Sequence, residues 1–415
     1  MALAHLWLAS AAMAAAGDRA ANVVLFIGDG MGTEHVRAAR CFNGAPLCFE
    51  DFPNFATVDT DSLDGLTDSA AGATAVATGT RVESYTYGDR SSNRLPTVLE
   101  YFQGKGKRTG LVTTDYMTSA TPAAFATHAY DRDDREQIAL DYRVEIKPNV
   151  LLGGGGYSLT VADAAAAGFA VATNSAELAA VDPAATVYLS GQFGEGPMPY
   201  EYDGIGDFPH LREMAAAALS VLERAPEGFF LVVEGANIDH AAHAGDVGRM
   251  IAEALEFGAA VQVVLDWAED RDDTLILVTA DHETGGLSVA SDLGAGNDPE
   301  VEWATGGHTQ APVGCWAWGP GSERVAGSMA NTNTFHVLRD AALLKSYCLG
   351  PPPDGSPPLW TAAPGDAFRI EYTDRLDLPD WKPLGTTTAA TDTVSIGDTN
   401  DWPLGQRFYR AVALP

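Results

Sequence analysis

Four apolar runs in this sequence are each followed by side chains that can bind a metal ion or transfer a proton. The runs are NVVLFI (22–27), TGLVTT (109–114), FFLVV (229–233) and TLILVT (274–279). Imidazole together with carboxylate is ligand chemistry that suits Zn²⁺, whereas sets of oxygen ligands suit Mg²⁺. The polar residues are Asp29 after the first run, Ser119, Thr121 and Arg132 after the second, Glu234, Asp239, His240 and His243 after the third, and Asp281 and His282 after the fourth.

Two of these spacings could hold an ion. Asp239 and His243 are four residues apart, so on a helical turn they share one face and can bind the same metal. Asp281 and His282 are adjacent, and at the end of a strand both could reach a second ion. His308 lies in the Gly-rich segment TGGHTQAP and would complete a set. Each pattern alone is common on ordinary helices and turns, but their joint occurrence after four runs indicates a metal site.

Ser69, in GLTDSAAGATAVATGT, could be a nucleophile. It lacks the G-x-S-x-G pattern and has no histidine nearby in the sequence. The same residues also predict an alanine-rich helix that begins near Ser69 and is capped by Asp68 or Thr67. The two interpretations are compatible, because a helix N-terminus favours anions and would place the serine beside them.

The four apolar runs are continuous and rich in β-branched or aromatic residues, which is typical of strands buried on both faces. Helix-like segments at 210–225 and 246–270 alternate with them. This order predicts a largely parallel sheet covered by helices. Ligands of such sheets bind outside the carboxyl ends of the strands. We therefore expect the polar residues listed above to converge on one site.

Both ends of the chain differ from this α/β pattern. Residues 1–20 carry an apolar run followed by small residues, which is typical of a secretory signal peptide. No Lys or Arg precedes the run, which is a departure from that pattern. The α/β pattern extends over 21–349, and the Pro-rich segment 350–358 reads as a linker. Residues 359–415 contain short alternating stretches that predict a small all-β module.

The composition limits the partners of this chain. Its 415 residues carry 56 acidic and 25 basic side chains, for a net charge of −31. This argues against binding to nucleic acid or to an anionic membrane, and the apolar run at the start is too short to span a bilayer. Export would allow the four cysteines to pair. Cys41 with Cys48 is one candidate bridge, which leaves Cys315 and Cys348, but four cysteines permit three pairings.

Six ordered motifs of residues 21–349 resemble those of the alkaline phosphatase family. They are NVVLFIGDGMG, TDSAAGATAVATGT, SATPAAFATHAYDR, VEGANIDHAAHAGD, VTADHETGG and TGGHTQAPV. The resemblance implies a three-layer α/β/α sandwich with a mainly parallel central sheet. It also implies a secreted, periplasmic or cell-surface enzyme that hydrolyses phosphate monoesters through a phosphoserine at Ser69.

The resemblance further implies two Zn²⁺ ions and one Mg²⁺ ion. Asp239, His243 and His308 would hold the first zinc, and Asp29, Asp281 and His282 the second, beside Ser69. Asp29 would also reach the third ion, together with Thr121 and Glu234. Arg132 would bind two phosphate oxygens through its planar guanidinium.

Two positions differ from some members of the family. Ser119 stands where some members have Asp, which removes a charge from the third site and predicts weaker binding of that ion. His240 stands where some members have Lys, and it could contact phosphate through water or add a metal contact. The stretch between His282 and His308 is short where members often insert a subdomain that helps dimers form. Both a monomer and a homodimer therefore stay open.

Three other interpretations remain at this stage. The chain could be a phosphodiesterase or a sulfatase of the same superfamily, although Ser69, Arg132 and the third-site residues favour monoesters. It could also be a non-catalytic surface protein that binds phosphate. The C-terminal module could attach to a cell surface, sort the protein, bind carbohydrate or bind nothing.

Overall fold

A computed structural model describes residues 20–87 and 94–341, and in the C-terminal part it describes residue 390 and the strands given below. The chain divides into two compact units, of which the larger is Ala21–Arg339 and the smaller contains the C-terminal strands. Among the described residues, none of the helices combines the length and the apolar character needed to cross a bilayer.

The larger unit is built on one sheet of ten strands. Their spatial order is β14-β2-β13-β8-β1-β7-β3-β4-β6-β5, and within this sheet only β13 runs antiparallel to its neighbours. The strands of the sheet are β1 Asn22–Gly28, β2 Asn54–Asp59, β3 Arg108–Tyr116, β4 Val150–Gly155, β5 Ala170–Ala172, β6 Leu189–Glu195, β7 Phe229–Gly235, β8 Thr274–Thr279, β13 Val313–Trp318 and β14 Gly327–Ala330. Four short strands form two small antiparallel pairs, namely β9 Glu283–Thr284 with β12 His308–Thr309 and β10 Leu287–Ser291 with β11 Glu300–Trp303.

The register of the central strands determines where their polar ends lie. Ile27 of β1 is level with Glu234 of β7 on one side and with Thr279 of β8 on the other. Glu234 is in turn level with Thr113 of β3. Because these four strands are parallel, their carboxyl ends open at the same edge of the sheet, as the sequence predicts.

Two groups of helices cover the sheet. The first group, α8 and α10, packs on β3, β7 and each other, and the second, α3 and α4, also packs on β3 and β7. The helices are α1 Thr33–Asn43, α2 Ser69–Thr78, α3 Val98–Gly104, α4 Ala120–Ala126, α5 Arg135–Leu140, α6 Val161–Ala166, α7 Ser175–Ala179, α8 Leu211–Leu222, α9 Asn237–His243, α10 Val247–Ala268 and α11 Asn331–Ala341.

Aromatic side chains fill the two interfaces between sheet and helices. Phe257 of α10 meets Phe26 of β1 edge-on, with ring centroids 5.8 Å apart. Phe102 of α3 stacks on Phe230 of β7 at 4.9 Å. All four side chains are fully buried, and such rings contribute more apolar contact than any other residue type in a core. The predicted α/β fold with a mainly parallel central sheet is thus confirmed.

The smaller unit contains two antiparallel sheets. One has the order β15-β20-β17-β18, formed by Cys348–Leu349, Phe408–Ala413, Ala367–Thr373 and Lys382–Thr388, and the other pairs β16 Leu359–Thr361 with β19 Thr393–Ser395. Phe368 and Ile370 are buried on either side of the exposed Arg369, which is the period of two expected of a half-buried strand, and Glu371 is buried as well. The prediction of a small C-terminal β module is confirmed.

The predicted boundaries are not tested by these observations. The signal peptide assigned to residues 1–20 lies outside the described residues except for Ala20, and the linker at 350–358 lies outside them entirely. The ranges 21–349 for the catalytic domain and 359–415 for the β module remain predictions.

The two bridges considered for the cysteines do not form, because Cys41, Cys48 and Cys315 are free thiols. The Cys48 thiol donates to the carbonyl of Gly258 at 3.4 Å. Cys315 lies fully buried in β13, where burial raises the pKa of its thiol to about 12. The side chain of Cys348 lies outside the described residues.

Glu253 in α10 makes the stability of the fold dependent on pH. Its burial raises the pKa of the carboxyl to about 8 from an ordinary value of 4.5, although the backbone N–H of Glu201 donates to it. As pH rises from about 4.5 to about 8, the unfolded chain therefore loses this proton before the folded chain does, and the free energy of unfolding falls. We expect Glu253→Gln to flatten the decline of the melting temperature with pH over this range. Glu269→Gln, at the exposed end of the same helix, should leave the decline as it is, and equal slopes for all three proteins would contradict the assignment.

Candidate metal and nucleophile site

Ser69 is the first residue of α2 and lies at the edge of the sheet where the strand ends meet. Asp68 is the N-cap, and its Oδ1 accepts from the backbone N–H of Ala71 at 3.1 Å, so the capped helix of the sequence analysis is observed. The Ser69 Oγ lies 3.2 Å from His282 Nε2 and 3.5 Å from Asp29 Oδ1. Ser69 therefore begins a helix and also lies beside the predicted metal ligands.

Gly72 allows this close approach. A Cβ at this position would lie 2.8 Å from the carbonyl oxygen of Asp281 and 3.2 Å from its Cβ. The first turn of α2, made of small residues, thus packs directly on the backbone at the end of β8. Since Ser69 lies one turn away on the same helix, this contact sets its distance from Asp281 and His282.

One group of ligand atoms comes from the ends of β1 and β8. His282 Nε2 lies 3.3 Å from Asp29 Oδ1 and 3.5 Å from Asp281 Oδ2. The other oxygen of Asp281 accepts from the backbone N–H of Gly30 at 3.2 Å and of His282 at 3.0 Å. These two bonds fix the carboxylate, and they direct its Oδ2 toward the imidazole.

A second group comes from α9 and from β12. His243 Nε2 lies 3.3 Å from Asp239 Oδ2 across one helical turn, as the spacing predicts, and 3.1 Å from His308 Nε2. The ring of His308 stacks on that of His282 with centroids 3.7 Å apart. The two groups are therefore adjacent, and His282 belongs to the contact region of both.

The pairing of two short strands places His308. In the antiparallel pair of β9 and β12, His308 lies opposite Thr284, which follows the Asp-His pair by two residues. Backbone carbonyls accept from the Nδ1 atoms of both imidazoles, with Thr67 at 2.9 Å from His308 and Gly306 at 2.7 Å from His243. Such contacts fix the tautomer and leave each Nε2 available as a metal ligand.

These side chains fit a pair of zinc ions. Ligands about 2.0–2.1 Å from a tetrahedral zinc lie about 3.3–3.4 Å apart. The separations of 3.1, 3.3, 3.3 and 3.5 Å given above bracket this value. Asp281 Oδ2 is buried without a hydrogen-bond partner among the described residues, which is costly for a carboxylate unless a cation binds it. Both the donor chemistry and the spacing therefore suit zinc.

A third group lies on the β3 and β7 side of the first two. Thr113 donates a hydrogen bond to Glu234 Oε2, and the hydroxyl of Thr121 also lies beside this carboxylate and lowers its pKa. The hydroxyl of Ser119 donates a hydrogen bond to Asp115 Oδ2. His240 Nε2 lies 3.9 Å from the same oxygen. All of these ligand atoms except the histidine are oxygens, as Mg²⁺ prefers.

Burial perturbs the carboxyl groups of the site. It raises the pKa of Asp281 to about 8, with a further contribution from the negative charge of Asp239, and raises that of Glu234 to about 8. The pKa of Asp29 is also well above its usual range, because of burial and then because of Asp281. Burial opposes ionisation of Asp239 too, but its hydrogen bond with His243 and the neighbouring imidazoles hold its pKa well below the usual range. Without cations the site thus favours protonated carboxyls.

Arg132 lies next to the serine through Asp68. Its guanidinium donates to Asp68 Oδ2 at 2.5 Å, and about a quarter of the arginine side chain is exposed. The same carboxylate therefore caps the helix of Ser69 through one oxygen and holds the arginine through the other.

The structure brings together every residue that the sequence predicts for the site. Three residues of the site were not predicted from the sequence, namely Asp115, Thr113 and Thr284, and Asp68 was predicted only as a cap. Thr284 donates to Asp239 Oδ1 and lies 3.3 Å from His282 Nδ1, so it connects the two histidine-containing groups. Asp115 stands at the end of a buried strand, as Asp29 and Asp281 do, and this signal could have revealed it.

Fold and side-chain chemistry together indicate the class of metal-dependent α/β enzymes. A family model described as alkaline phosphatase matches residues 20–299. The chain is 29% identical to alkaline phosphatase 3 of Bacillus subtilis (strain 168), covering 78% of this chain and 90% of that protein. It is 33% identical to streptomycin-6-phosphate phosphatase of Streptomyces griseus, covering 79% of this chain and 91% of that protein.

A solved structure is similar over the same region. A variant of the alkaline phosphatase of the Antarctic bacterium TAB5, with Mg bound in its M3 site, superposes with a TM-score of 0.71 and 27% identity, over 79% of this chain and 99% of that one. The chain belongs to the alkaline phosphatase family. It is a phosphatase, and members of this family depend on metal ions.

The approach of α2 to β8 leads to a prediction about Gly72. In Gly72→Ala the new methyl group meets backbone that cannot rotate away, so we expect a loss of about 1–3 kcal/mol in the free energy of unfolding. It should also lower the metal content after dialysis, because Asp281 is displaced. Gly104→Ala is the matched control in another helix, since nothing lies within 4 Å of the added methyl, and its stability should change by at most about 1 kcal/mol. Urea unfolding and elemental analysis measure both quantities, and equal behaviour of the two variants would contradict the packing argument.

Proposed function

We propose that this chain is a secreted phosphomonoesterase that hydrolyses small phosphate monoesters through a phosphoserine at Ser69. The observation that carries the proposal is the position of the Ser69 hydroxyl. It lies at a helix N-terminus, within 3.5 Å of both His282 and Asp29, where three sets of ligand-type side chains meet. A hydroxyl in such a place needs no histidine base in the nearby sequence.

Asp239, His243 and His308 would hold one zinc ion, and Asp29, Asp281 and His282 the other. When bound, the zinc pair supplies Lewis-acid activation of the nucleophile, stabilisation of the leaving group and neutralisation of charge. Asp29, Asp281 and Glu234 are then ionised, since a nearby cation reverses the effect of burial on a carboxyl. The spacing of the ligand atoms and the buried, unpartnered Asp281 Oδ2 support this assignment.

The protein groups around Ser69 account for the remaining steps. The Ser69 hydroxyl loses its proton as its Oγ attacks phosphorus, the P–O bond to the leaving group breaks, and that oxygen takes up a proton to leave as the alcohol. Water then attacks the phosphoserine, the P–Oγ bond breaks, and inorganic phosphate and the Ser69 hydroxyl result. The N-terminus of α2 and the guanidinium of Arg132 stabilise the negative charge on the non-bridging oxygens. Asp68 holds Arg132 in place for this contact, through the ion pair described above.

Thr121 and Glu234, with Asp29, would hold a third ion, which we assign as Mg²⁺ on the oxygen-rich ligand set. The TAB5 variant with Mg bound in its M3 site supports this assignment. The secretory signal proposed at residues 1–20 would direct the enzyme to the periplasm, outside the cell or to its surface. The C-terminal module and the oligomeric state are not used in this mechanism.

Two other functions make different predictions. A phosphodiesterase or sulfatase of the same superfamily would prefer bis-aryl phosphate or aryl sulfate to aryl phosphate. A non-catalytic phosphate-binding protein would retain stoichiometric zinc and show no turnover at alkaline pH. The serine nucleophile, Arg132 and the third group of oxygen ligands favour the monoesterase.

The test of the proposed function compares the wild type with Ser69→Ala on these three substrates. We expect the wild type to prefer aryl phosphate and to lose activity on chelation, with recovery when zinc is restored. Ser69→Ala should lower turnover by orders of magnitude while its metal content persists, because Ser69 is not required to retain the ions. Ser328→Ala, at an exposed serine of the edge strand β14, is the control. Unchanged phosphatase activity in Ser69→Ala would overturn the nucleophile assignment, and activity in the fully metal-free protein would overturn the metal mechanism.

A further inference from the structure

Asp115 is a buried carboxylate at the active-site edge of the sheet that the proposed mechanism does not use. It is the second-last residue of β3 and is only 5% exposed. The pairing of β3 with β4 shifts register between Val112 and Tyr116, just where Asp115 lies. Such an irregularity re-aims side chains at the end of a strand and is often found next to active sites.

The contacts of Asp115 connect it to the third group of ligands. Its Oδ2 accepts from the hydroxyl of Ser119, and its Oδ1 accepts from the backbone N–H of Tyr116 at 2.8 Å. Its own backbone N–H donates to Thr113 Oγ1 at 2.9 Å, and this hydroxyl donates to Glu234. Thr113 thus links Asp115 of β3 to Glu234 of β7 through hydrogen bonds.

Two further observations point to a cation between these groups. Asp115 and Glu234 are both buried, and the negative charge of Asp115 acts on the carboxyl of Glu234. The hydroxyl of Thr121 is 1% exposed, and its oxygen has no hydrogen-bond partner of good geometry among the described residues. A cation bound by Glu234 and Thr121 would offset the buried negative charge and would give the Thr121 oxygen a partner.

We propose that Asp115 supplies the negative charge of the third metal site that Ser119 lacks, and that Ser119 positions Asp115 by a hydrogen bond. This inference rests on the proposed function, since it concerns the third ion of that site. The negative charge of the third site is thus supplied from position 115, four residues before position 119. The earlier expectation of a weakly bound third ion, drawn from Ser119 alone, is therefore replaced by one of ordinary binding. Asp115 binds the third ion directly or through a water molecule, and its carboxylate lies within the site in both cases.

The test is a charge exchange between the two positions. Each protein is stripped of metal, reloaded with zinc and titrated with Mg²⁺, and bound magnesium is measured by elemental analysis alongside the magnesium-dependent rise in melting temperature. We expect Asp115→Asn to weaken Mg²⁺ binding on the order of 10–100-fold. Ser119→Ala, which keeps the charge, should weaken it less. The double variant D115N/S119D restores one carboxylate at the other position and should recover much of the affinity.

The controls separate the possible outcomes. Zinc content and the melting temperature without Mg²⁺ report whether each variant folds and retains the zinc pair, and failure of the wild type to load zinc would count against the proposed function itself. If Asp115→Asn binds Mg²⁺ as tightly as the wild type, Asp115 is only the ion-pair partner of His240 and the proposal is wrong. If Asp115→Asn fails to fold, Ser119→Ala and Ser119→Asp still decide the matter, because the proposal requires both to change Mg²⁺ affinity.

A different observation concerns Tyr85, whose backbone is in the left-handed region with φ of 66°. This conformation is unfavourable for a bulky residue and persists only where surrounding contacts hold it. Its N–H donates to Asp68 Oδ1 at 2.9 Å, and its carbonyl accepts from the N–H of Arg132 at 3.1 Å. Two residues next to the nucleophile thus fix this tyrosine in place.

The ring of Tyr85 is 64% exposed, and its centroid lies 5.8 Å from the guanidinium carbon of Arg132. We infer that this ring packs against the leaving group of a phosphate ester held by Arg132, and that it favours planar aromatic leaving groups over small aliphatic ones. This also rests on the proposed function. A flat, exposed ring fixed at low entropy cost is suited to such stacking.

The test is the ratio of kcat/KM for an aryl phosphate to that for glycerol phosphate. Tyr85→Phe keeps the ring and should keep the ratio, whereas Tyr85→Asn, which tolerates the same backbone, should lower it roughly three- to tenfold through KM of the aryl substrate. Tyr85→Gly should behave like Tyr85→Asn while relieving the backbone. Equal ratios in all four proteins would overturn the inference, whereas a wild type inactive on both substrates would instead contradict the proposed function.

Discussion

The structure depends on the burial of several carboxyl groups at one edge of a parallel sheet. Each is at most 6% exposed, and an isolated buried carboxylate is strongly disfavoured unless it is protonated or paired with a cation. Arg132 is already paired with Asp68, and burial lowers the pKa of the His282 imidazole, so neither group neutralises these carboxyls. Metal ions would do so, which would make the site and the stability of this edge two aspects of the same requirement. The groups are Asp29, Asp115, Glu234, Asp239 and Asp281.

The register of the parallel strands brings these carboxyl groups together. Because β1 lies between β7 and β8, and β7 lies beside β3, acidic residues that are far apart in the sequence emerge side by side. Helix α2 then approaches the end of β8 through Gly72 and adds the serine. No single segment contains the site, and each segment can bring its ligand only when the sheet is complete.

Much of this could be predicted from the sequence, because strands buried on both faces are recognisable and their ends are known to converge. The α9 turn with Asp239 and His243 is a local pattern and was predicted on that basis. The contacts of Asp115 could not be predicted, because they depend on the shift in register at the end of β3. The disulfide prediction was wrong because proximity in sequence says little about where a thiol points, and Cys48 faces Gly258 instead.

The histidines of the two zinc-type groups differ in their access to water. The side chain of His282 is fully buried, that of His308 is 15% exposed and that of His243 is 38% exposed. His308 is also held by a strand pair of only two residues, so local opening there breaks few hydrogen bonds. The two zinc positions proposed above would therefore exchange at different rates, with the outer one first to lose its ion to a chelator. In an environment poor in zinc, the occupancy of this outer position would set the fraction of enzyme that is active.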